Sequence, residues 1–85
     1  MKEQLVTAKV VAKNIREVRE CRKYTQDYLA AKLSISQNAY SKIELGLSKI
    51  TLDRLFNIAI ILEIEVRRLI SLDPLTAFEL NLPSS

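Results

Sequence analysis

Across residues 1–73 of this 85-residue chain there is a single glycine, Gly46, and no proline, while Val, Ile and Leu recur at intervals of three and four rather than two. Apolar positions one helical turn apart, on a backbone without breakers, do not suit a pleated strand, whose side chains alternate with period two. The expected fold is therefore all-α, a compact five-helix domain over residues 1–72 with a short extension at 73–85. A chain of this length buries only about 60 to 65 per cent of its unfolded surface. That makes a deep, multi-lobed active site unexpected.

The residue inventory narrows the chemistry further. With no His, no Trp and one Cys, the chain cannot build a Ser-His-Asp triad, a His-ligated metal site, a zinc knuckle or an internal disulfide. No enzyme activity, cofactor, metal or small-molecule substrate is expected. The lone Cys21 fits a reducing compartment. No leader and no apolar run of about 18 residues directs the chain to a membrane, so the expected location is cytoplasmic. The apolar stretch from Leu55 to Ile64 is broken by Asn57, Glu63 and Glu65 and reads as a core helix. Cys21 falls about 120° from the apolar stripe of its helix, is expected to be exposed, and is assigned no role.

The first helix is expected from about Thr7 to Arg22, with Ala8, Val11, Ala12, Ile15, Val18, Arg19 and Arg22 on one stripe. Arg19 thus falls on the buried side. Thr25 is placed to cap a second helix that ends near Leu33, with Tyr24 stapled onto Leu29. Ser34 and Ile35 make a very short connection to Ser36, the cap of a third helix that starts at Gln37 and stops at Gly46, a left-handed cap. Thr51 caps a fourth helix running to about Leu62, with Asp53 against its positive end, and a short fifth follows near Val66 to Ile70.

Charge is unevenly placed along this series. Residues 1–49 carry ten basic and five acidic side chains, and residues 50–85 carry three and five, leaving the net +3 concentrated in the first half. An electropositive end suits an anionic partner, although a mixed-charge solvated helical surface would look similar.

The segment from Gln26 to Leu45 is a short helix, a three-residue turn and a second short helix. Two helices that cross steeply over such a turn need a small residue at their contact, met by Ala30. Leu29, Leu33, Ile35, Tyr40 and Ile43 supply an apolar wedge. With those residues inward, Gln37, Asn38, Ser41 and Lys42 share an outward polar edge. Gln and Asn can bond adenine N6 and N7, and Lys can donate to guanine O6 or N7, so this edge suits base reading in a major groove. Gln26 and the free N–H groups of the second helix's first turn suit a phosphate oxygen, as does Lys49 in the loop after the third helix. Thr25 and Ser36, which cap these two helices, join the expected phosphate-contacting set.

The run Thr25-Gln26-Asp27-Tyr28-Leu29-Ala30-Ala31-Lys32-Leu33-Ser34-Ile35-Ser36-Gln37-Asn38-Ala39-Tyr40-Ser41-Lys42-Ile43-Glu44-Leu45-Gly46 resembles the Cro/C1-type (XRE) helix-turn-helix family. The motif core is 25–46. The likeness extends over roughly Ile15 to Ile70, through Thr51, Leu52, Leu55, Ile58, Ala59, Leu62, Val66 and Leu69. It implies a lambda-repressor-like domain in which Gln26 contacts phosphate and Gln37, Asn38 and Lys42 read bases. It also implies that Arg19 and Glu44 form a partly buried ion pair. Four positions depart from the family pattern: Ser34 and Glu63 stand where Gly is usual, and Leu45 and Leu47 stand where basic or polar residues are common. The two leucines remove phosphate donors.

Phe56 and Ile60 fall off the inward stripe of the fourth helix. With Val66, Ile70, Leu72 and parts of the apolar run to Leu82, they are the expected self-association surface of a homodimer. For residues 73–85 a frayed terminus is the alternative. The expectation is a sequence-specific regulator of transcription, most simply a repressor, that binds double-stranded DNA at a palindromic site. The competing expectation is a protein-binding module, such as a helix-turn-helix antitoxin component holding a partner protein.

Overall fold

Residues 6–72 are described by a computed structural model. Among them the chain forms five helices and no strand: α1 (Ala8–Cys21), α2 (Gln26–Leu33), α3 (Gln37–Glu44), α4 (Leu52–Leu62) and α5 (Val66–Leu69). The expected extension at 73–85 lies outside the described residues.

Both ends of the helices follow from local chemistry. The first N–H groups of a helix have no intrahelical acceptor, and hydroxyl side chains supply one. Thr7, Thr25, Ser36 and Thr51 accept from the N–H groups of Val10, Tyr28, Ala39 and Arg54 at 3.3, 3.0, 3.0 and 3.1 Å. At the other ends, α1 to α4 close in the same way. The N–H groups of Tyr24, Ile35, Leu47 and Ile64 each bond the carbonyl five residues back, those of Arg19, Ala30, Lys42 and Ala59. The residue before each donor, Lys23, Ser34, Gly46 and Glu63, has φ of 63°, 59°, 75° and 56°. These are Schellman closures, each needing one left-handed residue. Gly46 meets that need without strain, whereas Lys23, Ser34 and Glu63 carry a Cβ into a region that disfavours it. The expected glycine cap is present at Gly46, and Lys23 is a closure with no signal in its residue type.

The core gathers Ile15, Val18, Leu29, Ala30, Tyr40, Ile43, Leu55, Ile58, Ala59, Leu62 and Leu69. Tyr24, Ile35 and Ile64, the donors that finish three of the closures, pack against it, so the ends of α1, α2 and α4 are also anchored by an apolar contact. The stripe of α1 is inward at Ala12, Ile15, Val18 and Arg19, but Ala8, the first residue of the helix, is exposed. Leu52 is exposed as well, at the first turn of α4. Tyr24 lies with its ring 4.6 Å from that of Tyr28, and Lys32 stands over the other ring.

Two polar anchors hold the helices in place. Asn14, fully buried, donates from Nδ2 to the carbonyls of Leu69 and Ser71 at 2.8 and 2.6 Å, tying α1 to the end of α5. Arg22 donates from Nε and Nη2 to the carbonyls of Leu62 and Glu63, both at 2.7 Å, and so satisfies the C-terminal end of α4 from outside it. α3 packs on α1 and α2. No helix of the described residues is long and apolar enough to cross a membrane.

Candidate nucleic-acid interface

α3 owes its orientation to one face. Tyr40, Ile43 and Glu44 are buried, which turns the offsets between them outward. Gln37, Asn38 and Lys42 are exposed and Ser41 is half-buried, so the expected polar edge exists with Ser41 at its inner margin. Ser36 caps the helix at the same end, leaving Gln37 and Asn38 in the first turn. There the side-chain amides project beside a helix N-terminus, which carries partial positive charge.

α2 presents its own N-terminus nearby. Thr25 is exposed and spends its hydroxyl oxygen as the cap acceptor for Tyr28 N–H. Gln26 is half-buried, and its Nε2 donates to Glu44 Oε1 at 3.0 Å. Asp27 is exposed in the same first turn and opposes an approaching anion. Lys49 is exposed in the loop beyond α3. Leu45 and Leu47 are 60 and 71 % exposed, so both departures from the family pattern place bare apolar side chains between Lys42 and Lys49.

Beneath these groups lies a buried ionic network. Arg19 donates from Nε to Glu44 Oε2 at 2.6 Å and from Nη2 to Glu44 Oε1 at 3.0 Å, a two-pronged pair. Its Nη1 donates to the Tyr24 carbonyl at 2.8 Å. Burial alone would raise the Glu44 carboxyl, but hydrogen bonds from Arg19 and Gln26, with the Tyr40 hydroxyl nearby, outweigh it and hold the group below its ordinary value. The hydrogen bond to Glu44 raises Arg19 in turn, against its own desolvation. Burial, and then the neighbouring Glu44 carboxylate, push the Tyr40 hydroxyl well above its usual range. Both members of the pair are therefore charged at neutral pH. The pair joins α1, through Arg19, to the last residue of α3.

Residues 15–69 match the family model of the helix-turn-helix proteins, well over half of the chain. The chain belongs to this family, of the Cro/C1 type. Membership makes it a DNA-binding regulator by class, with α2 and α3 as the motif. Two solved structures share the fold. The hypothetical transcription factor NHTF from Neisseria is 21% identical over 94% of this chain and 95% of that one, with a TM-score of 0.73. The clp gene regulator ClgR from C. glutamicum is 18% identical over 96% of this chain and 100% of that one, also at 0.73. No curated protein sequence matches.

The remaining expected positions lie on α4 and at and beyond α5. Phe56, Ile60, Ile70 and Leu72 are 46, 72, 43 and 47 % exposed. Val66 differs: it is half-buried and packs against the core, because the short α5 turns it toward the body. Leu52, 69 % exposed, continues the row of Phe56 and Ile60 at four-residue spacing. Cys21 is exposed.

Proposed function

We propose that this helix-turn-helix protein is a sequence-specific transcriptional regulator, acting as a repressor, that binds a palindromic operator as a homodimer. Gln37, Asn38, Ser41 and Lys42 read bases in the major groove, while Thr25, Gln26, Ser36 and Lys49 contact phosphate. The observation that carries this reading is the exposed first turn of α3, where two carboxamides stand free beside a capped helix N-terminus. Two-fold pairing would set a second copy of α3 about 34 Å away, one turn of duplex. The exposed Phe56, Ile60, Ile70 and Leu72 offer apolar area for that pairing.

Selection of binding sites from a random duplex library tests the reading. The parent chain enriches a two-fold symmetric site, and Gln37→Ala with Asn38→Ala abolishes the enrichment without loss of helicity. Failure of the parent chain to enrich any sequence would reject it.

A second reading draws on the exposed Leu45 and Leu47, which lie where phosphate donors would help DNA binding. In that reading the chain holds a protein partner, as a helix-turn-helix antitoxin component does. Copurification of one stoichiometric partner, with no enriched duplex, would favour it.

A further inference from the structure

Gln26 and Glu44 stand 18 residues apart, on the first turn of α2 and the last of α3, and they meet through one hydrogen bond of 3.0 Å. The acceptor is a carboxylate, so only the Nε2 end of the Gln26 amide can face it. That uses one of two amide protons. The other proton and the Oε1 remain on a half-buried side chain at a helix N-terminus. A lone carboxylate at this place would repel a phosphate. Here Arg19 grips both oxygens of Glu44 at 2.6 and 3.0 Å and leaves the pair neutral overall.

We infer that Glu44 is a positioning residue for phosphate capture: its buried carboxylate, neutralised by Arg19, holds the Gln26 amide so that the second Nε2 proton meets a DNA phosphate oxygen. The inference rests on the proposed DNA reading and adds a role for the ion pair beyond joining helices. A long glutamine side chain loses rotamer freedom when it captures an anion, and fixing it before DNA arrives moves that loss into folding. Because Glu44 ends α3, the same carboxylate ties the phosphate grip of α2 to the placement of the base-reading helix.

The test is a double-mutant cycle on the selected duplex, read by fluorescence anisotropy. Arg19→Met with Glu44→Met removes the anchor while sparing the fold, since an apolar pair of similar volume commonly replaces a buried ion pair without loss. In the parent chain Gln26→Ala weakens binding by roughly 3- to 10-fold, the worth of one hydrogen bond. In the Met/Met background the same substitution costs less than about twofold. An equal cost in both backgrounds overturns the positioning role.

A second measurement needs no change to the network. In the DNA-free parent chain, 15N relaxation of the Gln26 side-chain amide gives an order parameter near the rigid backbone value of about 0.85, and that of Gln37 falls below about 0.6. Equal mobility of the two amides overturns the inference whether or not the Met/Met variant folds. Failure of the parent chain to bind any duplex would overturn the DNA reading, and the positioning role with it.

Discussion

Replacing Lys23, Ser34 and Glu63 together by glycine should stabilise the protein, although it deletes three side chains from a small domain. All three are exposed, with φ between 56° and 63°, and each closes a helix in the left-handed region. The hydrogen bonds at these positions are made by backbone N–H and carbonyl groups, so glycine preserves them. A non-glycine residue costs about 1 to 2 kcal/mol in that conformation. Glycine returns about 0.5 to 1 kcal/mol of the gain through the greater freedom of the unfolded chain. The net is about 0.5 to 1 kcal/mol per site, or about 2 kcal/mol for three sites at separate helix ends. For a domain of this size that raises Tm by about 8 to 16 °C. Urea and thermal unfolding, followed by circular dichroism, measure it. Ala31→Gly, in the right-handed body of α2, is the control and should cost about 1 kcal/mol. If the triple variant is no more stable than the parent, left-handed strain is not what these closures carry.

The ion pair makes a prediction with a definite sign in pH. Glu44 has a lowered folded value, so the stability it lends is present above its ordinary value of 4.5 and is lost as pH falls from there through the folded value. At pH 7, Glu44→Ala should cost about 3 to 5 kcal/mol in urea unfolding, with the gap to the parent closing below that window. Asn14→Ala removes one buried and one partly buried hydrogen bond, to Leu69 and Ser71, and should cost about 1 to 3 kcal/mol, with amide protection in α5 lost first in hydrogen exchange. Lys49→Ala should leave the selected sequence unchanged and reduce the salt slope of DNA binding by about 0.9 per contacted phosphate. Asp27→Asn should tighten binding to every duplex alike, measured by anisotropy, because it removes an anion from the first turn of α2.

Helix number, the caps at Thr25, Ser36 and Thr51, and the inward face of Arg19 were legible because each depends on neighbours within a turn or two along the chain. The outward edge of α3 was legible for the same reason: once Tyr40 and Ile43 face the core, Gln37, Asn38 and Lys42 cannot. Lys23 was not, since nothing in a lysine announces positive φ; its closure is imposed by the bonds of Tyr24 and Lys23 N–H back to α1. The burial of Asn14 was not legible, because it lies off the apolar stripe of α1 and its acceptors, 55 and 57 residues away, are in place only after α5 docks. The contact of Gln26 with Glu44 joins side chains 18 residues apart, which no periodicity along either helix pairs. Val66, expected on the self-association surface, packs against the core instead, because its direction is set by how the short α5 docks, which periodicity over one turn does not determine.

The central claim, that α3 reads bases in a major groove, is tested most directly by replacing each purine of the selected duplex in turn with its 7-deaza analogue. This removes the N7 acceptor and leaves base pairing and the minor groove intact. Binding should fall by roughly 3- to 10-fold per sensitive position, the worth of the one hydrogen bond removed. The sensitive positions should fall in two clusters about one helical turn, 10 to 10.5 base pairs, apart. Uniform insensitivity across the site would contradict the account.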